Sequence, residues 1–404
     1  MNKKKESKVV PNVRFKGFTD DWKQRKLGEL ALFNPKDELP QTFEYVDLES
    51  VVGTEMLLHR AEVKSSAPSR AQRLAHTGDL FYQTVRPYQK NNYLFEKTDN
   101  NYVFSTGYAQ MRPYVDGYFL LSLVQSERFV KVVLDNCTGT SYPAINANDL
   151  AEIEVAAPSD ESEAQKIGTI FRSIDRLITL HQRKIDKLKN LKKAMLEKMF
   201  PKKGSVIPEI RFNGFVNAWE QRKLGEITDV RDGTHDSPKY VQEGHPFITS
   251  KNVSNGFINY DDVQYVTDAD YEEINKRSKV DVHDILMGMI GTIGNLALIR
   301  KEPDFAIKNV ALIKYTGDVD YQYLYQALQA GCVTNQLSTG MDGGTQKFVS
   351  LKKIRELDIP FPDGWEQRKI GAYFSTLDHL ITLNQRKIDM LKKLKSACLS
   401  EMFI

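Results

Sequence analysis

The sequence predicts a mixed α/β (α+β) protein: two pseudo-symmetric globular domains separated by two long antiparallel helices that form an intramolecular coiled coil. Three observations predict it. "PNVRFKGFTDDWKQRKLGEL" (11–30) returns as "PEIRFNGFVNAWEQRKLGEI" (208–227), with 12 of 20 positions identical. "KIGTIFRSIDRLITLHQRKIDKLKNLKKAMLEKMF" (166–200) returns as "KIGAYFSTLDHLITLNQRKIDMLKKLKSACLSEMF" (369–403), with 22 of 35 identical. The second pair has apolar residues at helical spacing, whereas the long blocks between hold short Ile-, Val- and Leu-rich runs bounded by Gly, Asp and Asn.

In chain order, residues 1–9 are a basic tail, "MNKKKESKV", with no apolar segment after it to make a secretory signal. Residues 10–160 form the first domain, 161–203 the central helix, 204–362 the second domain and 363–404 the distal helix. The central helix shows apolar residues at Ile167, Ile170, Phe171, Ile174, Leu177, Ile178, Ile185, Leu188, Leu191 and Met195. No Gly or Pro interrupts it from Thr169 to Phe200, and Pro201 ends it. A helix from Glu161 to Met199 is about 58 Å long at roughly 1.5 Å per residue. A stripe that long requires a partner stripe, and the second copy supplies one. The seam positions are Ile174, Leu177, Ile178, His181, Ile185 and Leu188 in one helix, and Leu377, Leu380, Ile381, Asn384, Ile388 and Leu391 in the other. His181 and its counterpart Asn384 either fix register as mid-seam polar residues or lie at the edge of the stripe.

In the second domain "PFITSKNV", "ILMGMIGTIGNLALI" and "NVALIKYT" read as strands. "DYQYLYQALQAGCV" (320–333) reads as a helix ended by Gly331, and "GYFLLSLVQSERFVKVV" (117–133) occupies the matching place in the first domain. Both domains close on a Gly-Thr loop, a helical turn and a strand ending in Pro. A third echo, "GWEQRKIG" (364–371), suggests that the domain entry and the helix start share one local structure. Trp22 and Trp219 are expected to be core anchors of the entry segments.

Composition narrows the function. The chain has 404 residues, 41% hydrophobic and 27% charged, and no stretch of 18 uncharged apolar residues to span a membrane. Cys137, Cys332 and Cys398 form no CxxC, which argues for a reducing compartment and against disulfides or a zinc site. Net charge is +3, unevenly spread: 161–203 holds 12 Lys/Arg against 5 Asp/Glu, whereas 9–160 is −4 and 204–365 is −6. There is no GxxxxGK[ST], no GxGxxG after a strand, no HExxH and no GxSxG. "GMIGTIGN" (288–295) is Gly-rich but has no helix after it to cradle a phosphate. "DGTHDSP" (232–238) pairs His235 with Asp232 and Asp236, and a turn explains it better than acid–base chemistry does.

Binding remains. Polar and basic residues on loops at corresponding places in the two domains suit phosphates and base edges. The candidates are Arg70, Arg73, Gln83, Arg86, Lys90, Asn91, Thr140, Ser141 and Tyr142 in the first domain. In the second they are His235, Lys251, Asn252, Thr292, Thr345, Gln346 and Lys347. Lys187, Lys189, Lys192 and Lys193 of the central helix are a solvated face or a further contact.

The doubled "RFxGFxxxWxQRKLGE", the run "DGTHDSPKY…PFITSKNVSNGFI", "ILMGMIGTIG" and the paired "LITLxQRKID" tails resemble the specificity subunit of Type I restriction–modification systems. The resemblance covers nearly the whole chain from residue 10. It implies a non-catalytic, cytoplasmic DNA-recognition subunit. Each domain would read one half of an asymmetric bipartite site on double-stranded DNA. The helices would set the half-site spacing, on the order of one DNA turn or roughly 34 Å, and dock two modification (methyltransferase) subunits. S-adenosylmethionine, ATP and Mg²⁺ would be held by those partners and by motor/nuclease restriction subunits, not by this chain. The alternatives are a structural coiled-coil adaptor, or a fused self-sufficient methyltransferase or nuclease. The latter would need a "[DNS]PP[YFW]" motif that the sequence lacks.

Overall fold

The computed structural model describes residues 10–99, 101–139, 141–202, 204–254, 256–339 and 347–404. The chain divides into two compact units. One runs to Gln182 and includes Gln385–Ile404, and the other is Arg183–Asn384. The two long helices are present, at Glu161–Lys198 and Gly364–Glu401, and each contributes one part to either unit.

In the first unit the entry strand Lys23–Lys26 pairs antiparallel with the closing strand Glu154–Ala157. A four-stranded antiparallel sheet follows, in the order Ala31–Phe33, Tyr108–Pro113, Leu80–Gln83, Tyr93–Leu94. A second sheet has the order Arg60–Val63, Thr42–Val46, Tyr102–Ser105, Ala71–Leu74, its middle pair parallel. The second unit repeats this frame, except that among the described residues its second sheet has three strands, Gln264–Val266, His245–Thr249 and Ala306–Lys308, and no counterpart of Ala71–Leu74. Glu220–Lys223 pairs with Asp358–Phe361. Val230–Asp232, Val310–Ile313, Ile285–Gly288 and Leu296–Leu298 make the antiparallel sheet. His245–Thr249 lies parallel to Ala306–Lys308. Even the small hairpins correspond, Val51–Val52 with Glu55–Met56 in one unit and Val253–Ser254 with Phe257–Ile258 in the other.

The single helices expected at 117–133 and 320–333 are each two. Gly117–Gln125 stops at Ser126, whose hydroxyl accepts from Phe129 N and so starts Glu127–Asp135. Side-chain capping makes a new helix start cheaper than continuation there. Tyr321–Ala327 likewise stops before Gly331, which opens Gly331–Thr339 rather than ending a helix.

The third echo is also corrected. The pentapeptide WEQRK is strand at 220–223 and helix at 365–369. In the first setting Glu220–Lys223 has a strand partner, and Trp219 is buried. In the second, the Asp363 carboxylate accepts from Trp365 N (2.9 Å) and Glu366 N (3.0 Å), capping a helix that leaves Trp365 70% exposed. Tertiary pairing and capping decide between two conformations that the local sequence permits.

Each domain is fixed to a long helix by the same two devices. Arg14 donates from Nε and Nη2 to the Glu163 carboxylate (2.5 and 2.8 Å), and Trp22 Nε1 donates to it at 3.2 Å. In the second unit Arg211 and Trp219 treat Glu366 identically, at 2.6, 2.7 and 3.0 Å. Both carboxylates are fully buried. Both guanidiniums are held above their ordinary range, chiefly by the hydrogen bond to their glutamate. Then a glycine admits close approach: a Cβ on Gly168 would stand 1.8 Å from Asp116 Oδ1, and one on Gly371 would stand 2.8 Å from Asp320 Oδ1. Those aspartates cap Gly117–Gln125 and Tyr321–Ala327.

Within each unit the helix segments run antiparallel. Phe171 meets Phe403 and Asp175 pairs with Lys395 (2.6 Å) in the first. Phe374 meets Phe200 and Asp378 pairs with Lys192 (2.7 Å) in the second. Of the seam residues, Ile174, Ile185, Leu377, Ile388 and Asn384 are buried. Ile178, His181, Leu188, Leu380, Ile381 and Leu391 are half-buried, and Leu177 is 42% exposed. Asn384 Nδ2 donates to Leu380 O at 2.7 Å. Lys192 also reaches Gln329 Oε1 (3.2 Å), while Lys187, Lys189 and Lys193 are exposed.

Candidate nucleic-acid interface

In the first domain the loop after Leu80–Gln83 is built by side chains that fold back on it. Gln83 is 3% exposed, and its Nε2 donates to Val85 O and to Gln89 Oε1. The buried Asn92 closes the loop by accepting from Gln83 N at 2.9 Å. Asn91 Oδ1 accepts from Gly53 N at 2.8 Å, joining the loop to the Val51–Met56 hairpin. Val85 bridges Ala144, and Arg86 N donates to Pro143 O, which draws in residues 141–145. Arg86 and Lys90 sit in left-handed backbone, φ 54° and 55°, uncommon for residues with a Cβ. Lys90 Nζ pairs with Glu127 at 2.5 Å. The Arg86 guanidinium lies over the exposed Tyr142 ring, 4.5 Å from its centre. Ser141 is exposed beside it.

Arg86, Lys90, Asn91, Ser141 and Tyr142 are thus brought together. Arg70 joins through the backbone: Thr106 N donates to Arg70 O, and Thr84 N to Gly107 O. Arg73 stands apart on Ala71–Leu74, half-buried, where burial lowers its guanidinium below the ordinary value. Gln83 was expected to face DNA; its burial makes it a support of the loop instead. Thr140 lies outside the described residues.

The second domain uses other residues at the same place. The loop after Ile285–Gly288 is held through Ser250, whose Oγ accepts from Met289 N (3.1 Å) and donates to Asn309 O (2.7 Å). Thr292 Oγ1 donates to Ser250 O at 2.6 Å. Ile290 bridges Phe348, beside the exposed Lys347. His235 spans Asp232 (2.9 Å) and Asn309 (2.6 Å), and Arg277 also binds Asp232. His235, Thr292 and Lys347 therefore share one loop cluster. Lys251 is spent on Asp262 at 2.7 Å. Asn252, expected to face DNA, is buried, its Oδ1 accepting from Thr249 and its Nδ2 donating to Asn259 O and Asp262 O. Thr345 and Gln346 lie outside the described residues. Sequence reasoning missed Glu127, Asn92 and Asn309; a lone polar residue beside a strand carries no signal of a distant partner.

The His235 ring is held above its ordinary range, first by Asn309 and then by Asp232. Its protonated form therefore adds stability below the unfolded value of about 6.5, and that gain fades as pH rises through the folded value. Asn309→Gly, which suits the left-handed backbone there (φ 52°), should lower the His235 midpoint in an NMR titration. An unmoved midpoint would refute the assigned cause. Among the described residues no group of three or more His, Cys, Asp or Glu could hold a metal ion, and no helix is long and apolar enough to cross a membrane.

Residues 61–190 and 217–393 match the family described as the Type I restriction modification DNA specificity domain, more than half of the chain. The chain belongs to this family. It is a specificity subunit, made of two repeated mixed domains and two long helices. It is 24% identical over 296 residues to the type I restriction enzyme MjaVIII specificity subunit of Methanocaldococcus jannaschii, covering 69% of this chain and 67% of that one. The putative MjaX specificity subunit of the same organism is 25% identical, covering 70% and 66%. The chain thus spans about two thirds of the length of these curated relatives. Its fold is that of the S subunit of a Type I system from M. genitalium (TM-score 0.62, 16% identity, 98% of this chain and 99% of that one). It also matches a chain solved in work on the complex assembly and conformational transition of a type I system (TM-score 0.53, 22% identity, 94% and 97%).

Proposed function

We propose that each domain of this specificity subunit reads one half of an asymmetric bipartite DNA site, and that the long helices set the half-site spacing and dock the modification subunits. S-adenosylmethionine, ATP and Mg²⁺ belong to those partners and to the restriction subunits, and this chain performs no catalysis alone. One observation carries the reading. The two domains share a frame, down to the lock of an arginine and a tryptophan on a buried glutamate, yet the loops at the matching strand ends carry different side chains. Arg86 stands three residues past the end of its strand, where the second domain has Gly291, also left-handed at φ 72°. A repeated frame suits repeated partners, and unlike loops suit unlike words of DNA. The net acidic domains fit this if phosphate neutralisation is shared with the partner subunits.

Exchanging residues 9–160 for the matching block of a relative should change one half of the methylated site and leave the other, and the gap between them, unaltered. Sequencing methylated adenines in cells carrying the chimera with its partner subunits tests this. A change in both halves would refute it.

A further inference from the structure

Within the first domain's loop cluster most polar groups are already committed. Gln83 and Asn92 are buried supports, Asn91 holds the hairpin tip, and Lys90 is paired with Glu127. Arg86 makes no ion pair among the described residues, and its planar head rests on Tyr142, which is 64% exposed. Stacking fixes the plane of a guanidinium and leaves its donor edge open. Left-handed backbone strains a residue with a Cβ, and glycine would remove that strain. Here the loop is pinned at three places, by Asn92, by Asn91 and by the bond from Arg86 N to Pro143 O, so that the arginine keeps one orientation.

We propose that Arg86, held on Tyr142, is the guanine-reading residue of the first domain, donating to O6 and N7 in the major groove. Gln83, Asn91 and Asn92 are positioning residues that act through the loop. The bidentate match of a guanidinium edge to guanine is the commonest base-specific contact, and a pre-fixed plane lowers the ordering cost of making it. Gly291 at the matching place means that the second domain has no such contact there. The assignment rests on the DNA-reading function proposed above and names a base and a residue within it.

The test uses the complete complex with its modification subunits, on the site mapped from methylated adenines. Each guanine of the half-site that follows residues 9–160 is replaced singly by 7-deazaguanine, which lacks the N7 acceptor, and binding is measured by anisotropy at fixed salt. At one guanine the replacement should weaken the wild-type complex roughly 5- to 150-fold. Arg86→Gly, which relaxes the backbone and so protects the fold, should lose a similar factor and be indifferent to the same replacement. Tyr142→Phe should keep the coupling and Tyr142→Ala should reduce it. Losses that add at every guanine, a half-site without guanine, or equal weakening of Arg86→Gly on specific and unrelated DNA would each overturn the assignment while sparing the wider function. A wild-type complex that cannot tell its mapped site from unrelated DNA would overturn both.

Discussion

Glu366→Ala should destabilise the second unit by about 3–5 kcal/mol, because it leaves a buried cation without its counter-charge. Arg211 is 11% exposed at its side chain and cannot shed its proton, and Trp219 Nε1 loses the Glu366 acceptor at the same stroke. Glu163→Ala should do the same to the first unit, through Arg14 and Trp22. The comparison that isolates the charge is the pair Arg211→Met with Glu366→Leu. Removing both charges together should restore much of the loss, since a well-packed apolar pair often equals a buried ion pair. A single melting temperature is ill-defined for two units, so hydrogen exchange resolved along the chain is the suitable measurement. Glu366→Ala should raise exchange across 204–384 and spare 10–182. Equal acceleration in both, or a double variant as unstable as the single, would show that the carboxylate is not a local lock of the second unit.

The sequence made the frame legible and the site only partly so, for a physical reason. Helix periodicity and the two repeats are local or self-similar signals, so the long helices and the doubled domains could be read directly. Trp22 and Trp219 were readable as core because a tryptophan in a repeated entry segment has few other uses, and both are 3% exposed. What completes them was not readable. Glu163 lies 141 residues from Trp22 and looks like any acidic residue in a first helical turn. The pentapeptide WEQRK shows the same limit from the other side: one string gives a strand or a helix, according to whether a partner strand or an aspartate cap stands next to it. In the loops, Gln83 and Arg86 are equally polar in sequence. Only the fold turns one inward and leaves the other over Tyr142.

Phe403→Ala should unfold or loosen the first unit, although Phe403 is the penultimate residue of the chain. Its ring is 1% exposed and lies among Trp22, Phe119 and Phe171, with centroids at 6.3, 5.8 and 5.9 Å. The matching Phe200, at the end of the central helix, fills the second unit against Trp219, Tyr323 and Phe374 at 6.0, 5.7 and 6.2 Å. Each domain's core is thus completed by the helix that follows the other domain. Truncating a buried phenylalanine costs about 3–5 kcal/mol through lost transfer energy and the cavity left behind. The edge-on pair of Phe403 with Trp22 adds about 0.5–1.5 kcal/mol. Removing Met402, Phe403 and Ile404 should therefore raise exchange in Trp22 and in Gly117–Gln125, while Tyr321–Ala327 and Trp219 stay protected. Phe200→Ala should produce the opposite pattern. If loss of the last three residues instead disturbed the second unit, or neither, then the terminal phenylalanine would not be the plug of the first core. The repeat itself explains why one ring in each tail is indispensable: 166–200 and 369–403 both end in Met-Phe, and both phenylalanines are buried against a tryptophan of an entry segment.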